Sequence, residues 1–485
     1  MPVARSAAVS LVVLVAAVAD AVVWSHGRFP LPAPLLPQVA SPARIGIVET
    51  LPIGSFDLAP LPGSKSTAEG LAALFDAATE TIDILAMYWN LEGVDDHKIY
   101  SDDELQAFGA RHGHAVYAAL RHAVERNVSV RVVGSKSDQF QPTEIESFVP
   151  NIRLWDAVHW YGGGIMHQKM VLVDKQHAYL GSANMDWKSL AQVMEVGVVL
   201  EAAPAIVDDM QRLFELWWAW SDPALVARYA PIDVFSDKFQ VTLRLPPWSD
   251  DVPEASRVPS PFTDASMSSI FNKVHNLHTL LNNKPAGVFL SASPDSATSG
   301  ARTRDEDALV YTLQSAKTAV SLSVMDFLPF ATYPIATHAS GSIHWPALTD
   351  AILSVVLARN VSVRLLVSHW AHSRPVMVTA LRQLQAQADL HHKRGLGRVE
   401  IRLFEVPGYN ETVPAPGRFP PFSRVNHAKF IVSDSRVNIG TSNMEWGYFY
   451  NTAGASFNTN HPDAIAAVQA IFDRNWASAY ARPLA

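Results

Sequence analysis

The chain has no cysteine in 485 residues. Disulfides, thiolate metal sites and thiol catalysis are thereby excluded. Secretion is not excluded, because disulfides are needed mainly by small secreted domains, and this chain is long enough for two or three domains with a large core. Charge is sparse as well: 17% of residues are charged against 48% hydrophobic, which marks a globular chain. The balance is acidic, 38 basic against 46 acidic residues for a net −8, a poor match to a polyanion binder working by bulk charge at neutral pH. The 18 histidines make that conclusion depend on pH, since protonating all of them would carry −8 to +10. A strongly amphipathic basic segment, the mark of an interfacial membrane helix, is also missing.

The longest apolar stretch at the N-terminus runs from Ala7 to Ala19, broken by Ser10, and its 13 residues are few for a membrane span. Ala17-Val18-Ala19 fits a small-x-small cleavage site, so 1–19 reads as a signal peptide, with a signal anchor to about residue 24 as the alternative. Either route delivers the body to the secretory pathway. Phe29 to Pro42 is rich in proline, and 20–44 reads as a linker. Asn127, Asn360 and Asn410 head Asn-x-Ser/Thr sequons and are glycosylation candidates.

What is present is a duplication. Gly164 to Leu190 contains His167-Gln168-Lys169, an apolar run from Met170 to Val173, Asp174, and then Gly181-Ser182-Ala183-Asn184. Arg424 to Phe449 repeats it as His427-Ala428-Lys429, Phe430 to Val432, Asp434, and Gly440-Thr441-Ser442-Asn443. The apolar runs read as buried strands, on which residues two apart share a face, so each histidine looks the same way as its lysine. One His-x-Lys is weak evidence; two with the same downstream Asp and Asn are strong. The repeat extends further. Asn127-Val128-Ser129-Val130-Arg131 returns letter for letter at Asn360 to Arg364, and Pro204 and Pro462 open matching helices. Residues 45–228 and 284–485 therefore read as two α/β lobes of β-α-β order, joined by a connector over 229–283 that contains a helix-like Met267 to Leu281. Trp217, Trp218 and Trp220 lie on an amphipathic helix and read as core.

The paired motifs resemble the two histidine-lysine-aspartate motifs of the phospholipase D superfamily. GSANMDWKSL, RLLVSHWAHSRPVM at 364–377 and RVNHAKF with IGTSN are similar to the branch of phospholipases D three and four, lysosomal 5′-exonucleases of single-stranded nucleic acid also linked to lipid phosphodiester exchange. The likeness runs from about Arg44 to the C-terminus. It implies a two-lobe, pseudo-twofold fold, each lobe a mixed β-sheet flanked by helices, around one shared active site. It also implies a homodimer, and in animal members an uncleaved N-terminal anchor that would attach the chain to the membrane as a single-pass type II protein. Lumenal disulfides of those members have no counterpart here.

A pseudo-twofold pair would bring two imidazoles, two ammonium groups and two amides to one point, a set suited to a phosphodiester. The resemblance assigns His167 as nucleophile and His427 as general acid/base; symmetry of the sequence does not. Lys169 and Lys429 would hold phosphate with Asn184 and Asn443, and no metal or other cofactor is required because the lysines supply the positive charge. Asp174 and Asp434 complete the catalytic motif and are expected to orient or buttress it. Tyr88-Trp89 and Phe327-Leu328 occupy matching places after the first strand of each lobe, so Tyr88, Trp89 and Phe327 are candidates to line the cleft and stack on a terminal base, against packing under the strand end. By the resemblance, His372 and Ser373 would lie near the terminal phosphate or hydroxyl. Asp83 and Glu195 have no spacing that ties them together and are not read as a carboxylate pair. The expected activity is a 5′-exonuclease on single-stranded DNA or RNA in an acidic lumen, lysosome-like or secreted, with a phospholipase D or transphosphatidylase as the alternative.

Overall fold

The repeated Asn-Val-Ser-Val-Arg is one corner built twice. In the computed structural model, which describes residues 43–137, 142–332, 343–392 and 395–484, Asn127 and Asn360 sit where a helix gives way to a strand, at φ +67° and +57°. Asparagine tolerates this left-handed conformation better than other side chains with a Cβ. Helix termination thus accounts for the asparagine at both sites, and both side chains, like Asn410, are exposed. The signal segment and the proline-rich linker as far as residue 42 lie outside the described residues.

The first lobe runs β1 (Arg44–Thr50), β2 (Lys65–Ser66), α1 (Thr67–Ala77), β3 (Thr81–Leu85), α2 (Arg111–Glu125), β4 (Ser129–Ser135), β5 (Asn151–Trp155), β6 (Met170–Val173), β7 (His177–Gly181), β8 (Glu195–Glu201) and α3 (Pro204–Trp220). Its strands form one mixed sheet in the order β2-β1-β8-β7-β6-β3-β4-β5. The second lobe runs β9 (Leu277–Leu281), β10 (Lys284–Ser293), α4 (Asp305–Ser315), β11 (Ala319–Val324), α5 (Ala347–Arg359), β12 (Ser362–Ser368), α6 (Pro375–His392), β13 (Val399–Phe404), β14 (Phe430–Ser433), β15 (Val437–Gly440), β16 (Gly454–Thr459), α7 (Pro462–Ala477) and β17 (Ala481–Pro483). Its order is β9-β10-β16-β15-β14-β11-β12-β13-β17, with Thr303–Arg304 also on β10. From β1 to β5 and from β10 to β13 the two orders match strand for strand, and β17 extends the second sheet by one. Local chemistry starts the elements as expected: Ser66 and Glu69 form a reciprocal capping box at α1, and Pro204 and Pro462 open α3 and α7.

Pairing fixes which residues correspond. Gly181 faces Gly197 and Gly440 faces Ser456, so Glu195 corresponds to Gly454. Leu85 faces Met170 and Ser323 faces Phe430, so Tyr88 corresponds to Asp326 and Trp89 to Phe327. The sequence match of Tyr88-Trp89 with Phe327-Leu328 is therefore one residue out, and on extended chain a one-residue slip exchanges the two faces.

The connector differs from its reading. No helix spans 267–281. The Asn272 side chain accepts the backbone N–H of Val274 and of His275, both at 2.8 Å, a local turn that competes with helix. Leu277–Leu281 is instead an edge strand paired with β10, which places the start of the second sheet before residue 284. Trp248 and Phe262 of the connector are buried in an aromatic cluster with Trp160 and Trp220, so this segment supplies core and is not surface decoration. Trp217 and Trp220 are fully buried in the same core, as expected, whereas Trp218 is half-buried, its ring covered by Arg153.

The lobes are stitched together next to the motifs. His167 N–H donates to the Ala453 carbonyl and His427 N–H to the Met194 carbonyl, each at 2.9 Å. Each motif thus enters its own sheet while bonded to the segment that precedes the other lobe's β8-type strand. Gly164 makes this approach feasible: at φ +94° it lies against the Asn451 backbone, and a Cβ there would collide with that carbonyl.

Candidate active site

His167, Gln168 and Lys169 lie in extended chain just before β6, and His427, Ala428 and Lys429 just before β14. Alternation sends the middle residue of the first triplet away, where Gln168 Nε2 donates to the Gly454 carbonyl at 3.0 Å. The four chemical side chains are buried at the lobe junction, and each histidine and lysine lies within electrostatic reach of the other lobe's motif. Lys169 Nζ donates to the His167 carbonyl at 2.8 Å and Lys429 Nζ to the His427 carbonyl at 2.5 Å. Each lysine is thereby braced against its own histidine's backbone.

The centre is less symmetric than the sequence. Glu195, the first residue of β8, accepts from His427 Nδ1 at 2.9 and 3.0 Å to its two oxygens. That leaves Nε2 of His427 for a substrate. The corresponding position beside His167 is Gly454, which carries no carboxylate and where a Cβ would have to displace the hydroxyls of Ser442 and Ser293. His167 has the Thr441 backbone beside it where His427 has a carboxylate. Asp326 is a second carboxylate on the His427 side. It accepts from Asn443 Nδ2 at 3.0 Å and faces Lys429 and Arg374. Asn443 Nδ2 also reaches the Tyr448 hydroxyl at 3.2 Å, and the Tyr448 ring meets the His167 ring edge to face at 4.9 Å.

Electrostatics follow from this layout. Burial, then Lys169, Lys429 and His427, holds the His167 imidazole well below its ordinary value. Burial also lowers His427, to about 4, but Glu195 pulls the other way. Of the two, His427 keeps a proton more readily. Burial and the neighbouring Lys429 depress Lys169, and burial takes Lys429 to about 7 in spite of Glu195 and Asp326. Burial lifts Asp326 to about 6 against Lys429 and Arg374. A bound anion would reverse the lysine shifts, so this centre takes up protons when it takes up phosphate. The side-chain oxygens of both motif asparagines, Asn184 Oδ1 and Asn443 Oδ1, are buried without a hydrogen-bond partner. Each unmade bond costs roughly 1–3 kcal/mol, a cost that a polar ligand bound between the two amides would relieve.

Asp174 and Asp434 depart from the catalytic set. They stand beyond the far ends of β6 and β14. Asp174 accepts from the backbone N–H groups of Thr79, Glu80 and Thr81 and the Thr79 hydroxyl, at 2.7–2.8 Å. Asp434 does the same for Lys317 and Thr318. They buttress the turn into the neighbouring strand. Trp89 and Phe327 are buried in the core, bridged to Met185 and Met444, and are not stacking surfaces. Tyr88 is half-buried; its hydroxyl donates to Asp186 at 2.9 Å and neighbours Asn184. His372 is exposed, and Ser373 Oγ accepts the Trp370 N–H at 3.0 Å. Sequence reasoning set Glu195 aside and passed over Asp326, Arg374 and Tyr448. Glu195 could have been found by its place 11 residues after Asn184; its partner being glycine hid it. Among the described residues no group of three or more His, Asp or Glu is arranged to hold a metal ion, and no helix is long and apolar enough to cross a membrane.

Two family models match the chain. Residues 71–218 match the cardiolipin synthase PLD-like domain, and residues 254–409 the PLD3/4 PLD-like domain. Among curated proteins, the chain is 31% identical to a probable phospholipase D of Caenorhabditis elegans, over 90% of this chain and 70% of the relative. It is 30% identical to phospholipase D Y of Dictyostelium discoideum, covering 91% and 92%. It is also 30% identical to the 5′-3′ exonuclease PLD4 of Mus musculus, covering 92% and 81%.

Proposed function

The chain belongs to the phospholipase D superfamily, in its PLD3/4 branch, and from that premise we propose that it is a phosphodiesterase removing nucleotides from the 5′ end of single-stranded DNA or RNA in an acidic lumen of the secretory pathway. The observation that carries the chemistry is the carboxylate on one histidine only. Glu195 stabilises an imidazolium at His427, while His167, beside two lysines and no carboxylate, stays neutral with its lone pair available. His167 therefore attacks phosphorus, and His427, through Nε2, protonates the departing oxygen. Lys169, Lys429, Asn184 and Asn443 stabilise the charge that builds on the phosphoryl oxygens, with no metal required. His427, now neutral, takes a proton from water, which cleaves the phosphohistidine and returns both histidines to their starting states.

Acid favours the cycle in three ways. It supplies the proton His427 must carry, it keeps Lys429, at about 7, charged, and it lifts the net −8 that repels a polyanion. The nucleic-acid substrate is supported by the likeness to the mouse exonuclease over 92% of the chain. A second reading, phospholipase D or transphosphatidylase action on lipids, is supported by the likeness to the nematode and amoebal phospholipases D. The test is hydrolysis of a labelled single-stranded oligonucleotide at pH 5 and 7.5, with His167→Ala and His427→Ala alongside. Stepwise loss from the 5′ end, strongest in acid and absent in both variants, is expected. Intact oligonucleotide at both pH values, with a phospholipid turned over by the same preparation, would overturn the nuclease reading in favour of the second.

A further inference from the structure

Phe422 combines two features that packing does not explain. Its backbone lies in the left-handed region at φ +57°, where a bulky side chain is strained, and its ring is 64% exposed. Strain held at an exposed aromatic ring brings no burial in return, and such strain collects at ligand contacts. The ring is not alone. His372 lies parallel to it, with centroids 4.6 Å apart and planes 6° from parallel, and Trp370 meets His372 edge to face at 4.7 Å.

The pair stands close to the chemistry by two routes. Phe422 precedes His427 by five residues, which at full extension is at most about 18 Å. On the other side, Ser373 Oγ donates to the Ser368 carbonyl at 3.4 Å, and the Ser368 hydroxyl donates to the carbonyl of Asn426, next to His427. Ser373, the residue after His372, also lines a groove of about 420 Å³ with His369, Arg374, Val378, Thr379 and Arg382. Arg374 joins this groove to the centre, since it also faces Asp326. Cationic side chains beside a flat aromatic surface suit a strand that offers a phosphate and a base in alternation. A lipid surface fits less well, because the groove carries two arginines, Arg374 and Arg382.

We propose that the Phe422–His372 ring pair and the arginine-lined groove beside it bind the single strand next to the scissile phosphate, the rings stacking on a base and Arg374 and Arg382 holding a phosphate. This rests on the nucleic-acid reading above. The test compares a single-stranded 20-mer with a nucleoside p-nitrophenyl phosphodiester, which has no following nucleotide. Phe422→Leu keeps the bulk and loses the ring; Phe422→Tyr keeps the ring. Phe422→Leu is expected to raise KM for the 20-mer by about 5- to 100-fold, the worth of one base–aromatic stack, with turnover of the small ester unchanged and Phe422→Tyr close to wild type. Arg382→Ala is expected to flatten the salt dependence of that KM. Unchanged KM for the 20-mer in Phe422→Leu, or equal losses on both substrates, would overturn the proposal. So would lost binding to phosphatidylcholine–phosphatidylserine vesicles with oligonucleotide kinetics intact. A wild-type enzyme that turns over the ester and leaves the 20-mer whole would instead overturn the nucleic-acid reading on which it rests.

Discussion

Replacing Glu195 by glutamine removes one charge and almost no volume from the centre. The glutamine oxygen can still accept from His427 Nδ1, so ring orientation survives; what is lost is the anion 2.9 Å away that stabilises the imidazolium. The lower bound on the loss is the difference between a charged and a neutral hydrogen bond, roughly 1–2 kcal/mol. The upper bound is the interaction of unit charges at about 4 Å in a protein-like dielectric, about 4 kcal/mol. A loss of about 2–4 kcal/mol corresponds to roughly 30- to 1000-fold in kcat on a nucleic-acid substrate, whose leaving hydroxyl needs a proton. A nucleoside p-nitrophenyl phosphodiester separates the two halves of the cycle, because nitrophenolate departs without one. Stopped-flow measurement of nitrophenolate release is expected to give Glu195→Gln and His427→Ala a rapid burst of one equivalent per active site followed by slow turnover, the phosphohistidine waiting for a base. His167→Ala is expected to give no burst. A burst in His167→Ala and none in His427→Ala would reverse the roles, and full activity of Glu195→Gln on oligonucleotides would refute the argument that the carboxylate sets them.

Three further outcomes are expected. Asp174→Ala loses four hydrogen bonds outside the cleft and should lower stability by about 1–2 kcal/mol in urea unfolding, with kcat and KM within about twofold of wild type. The Asp174 carboxyl, held low by the Thr79–Thr81 bonds that outweigh its burial, stabilises the wild type above the ordinary carboxylate range; that contribution fades as pH falls through its folded value, and the variant should lack the decline. Asp326 is the opposite case: raised from 3.8 to about 6, it costs stability as pH rises between those values, so Asp326→Asn should gain about 2 kcal/mol at pH 7 over pH 4 relative to wild type in Tm measurements, after allowance for partial exposure. Arg424→Lys should cost about 2–4 kcal/mol by the same urea assay, because the buried guanidinium donates to the carbonyls of Ile53, Gly54 and Pro407 and ties the first lobe to the second.

Much of this molecule was legible in one dimension because it is written twice. Period-two apolar runs, helix-opening prolines and the Asn-Val-Ser-Val-Arg corner each report a local preference of backbone or burial, and a preference that recurs at matching spacing identifies a lobe. His167, Lys169, His427 and Lys429 were readable for the same reason. Register was less accessible. The chain after β3 and β11 offers Tyr88-Trp89 and Phe327-Leu328 to a reader of letters as the pairs to be aligned; only the pairing of Leu85 with Met170 and Ser323 with Phe430 sets Tyr88 against Asp326 and Trp89 against Phe327. That one-residue difference moved Trp89 and Phe327 from the cleft to the core. The helix expected at Met267 to Leu281 failed for a related reason: its apolar residues suit an edge strand equally well, and β10 was there to pair with it.

The sequence by itself determined that the chain duplicates one α/β unit and that each copy carries an imidazole, an ammonium group and an amide in fixed order, since these depend on neighbours along the chain. Which histidine attacks depends on groups far apart in sequence. Glu195 belongs to one lobe and His427 to the other, 232 residues away, and the matching place beside His167 is a glycine, hemmed in by Ser293 and Ser442. A repeated motif is symmetric as text, and only tertiary packing, which brings one carboxylate to one imidazole and a glycine to the other, makes the two copies chemically different.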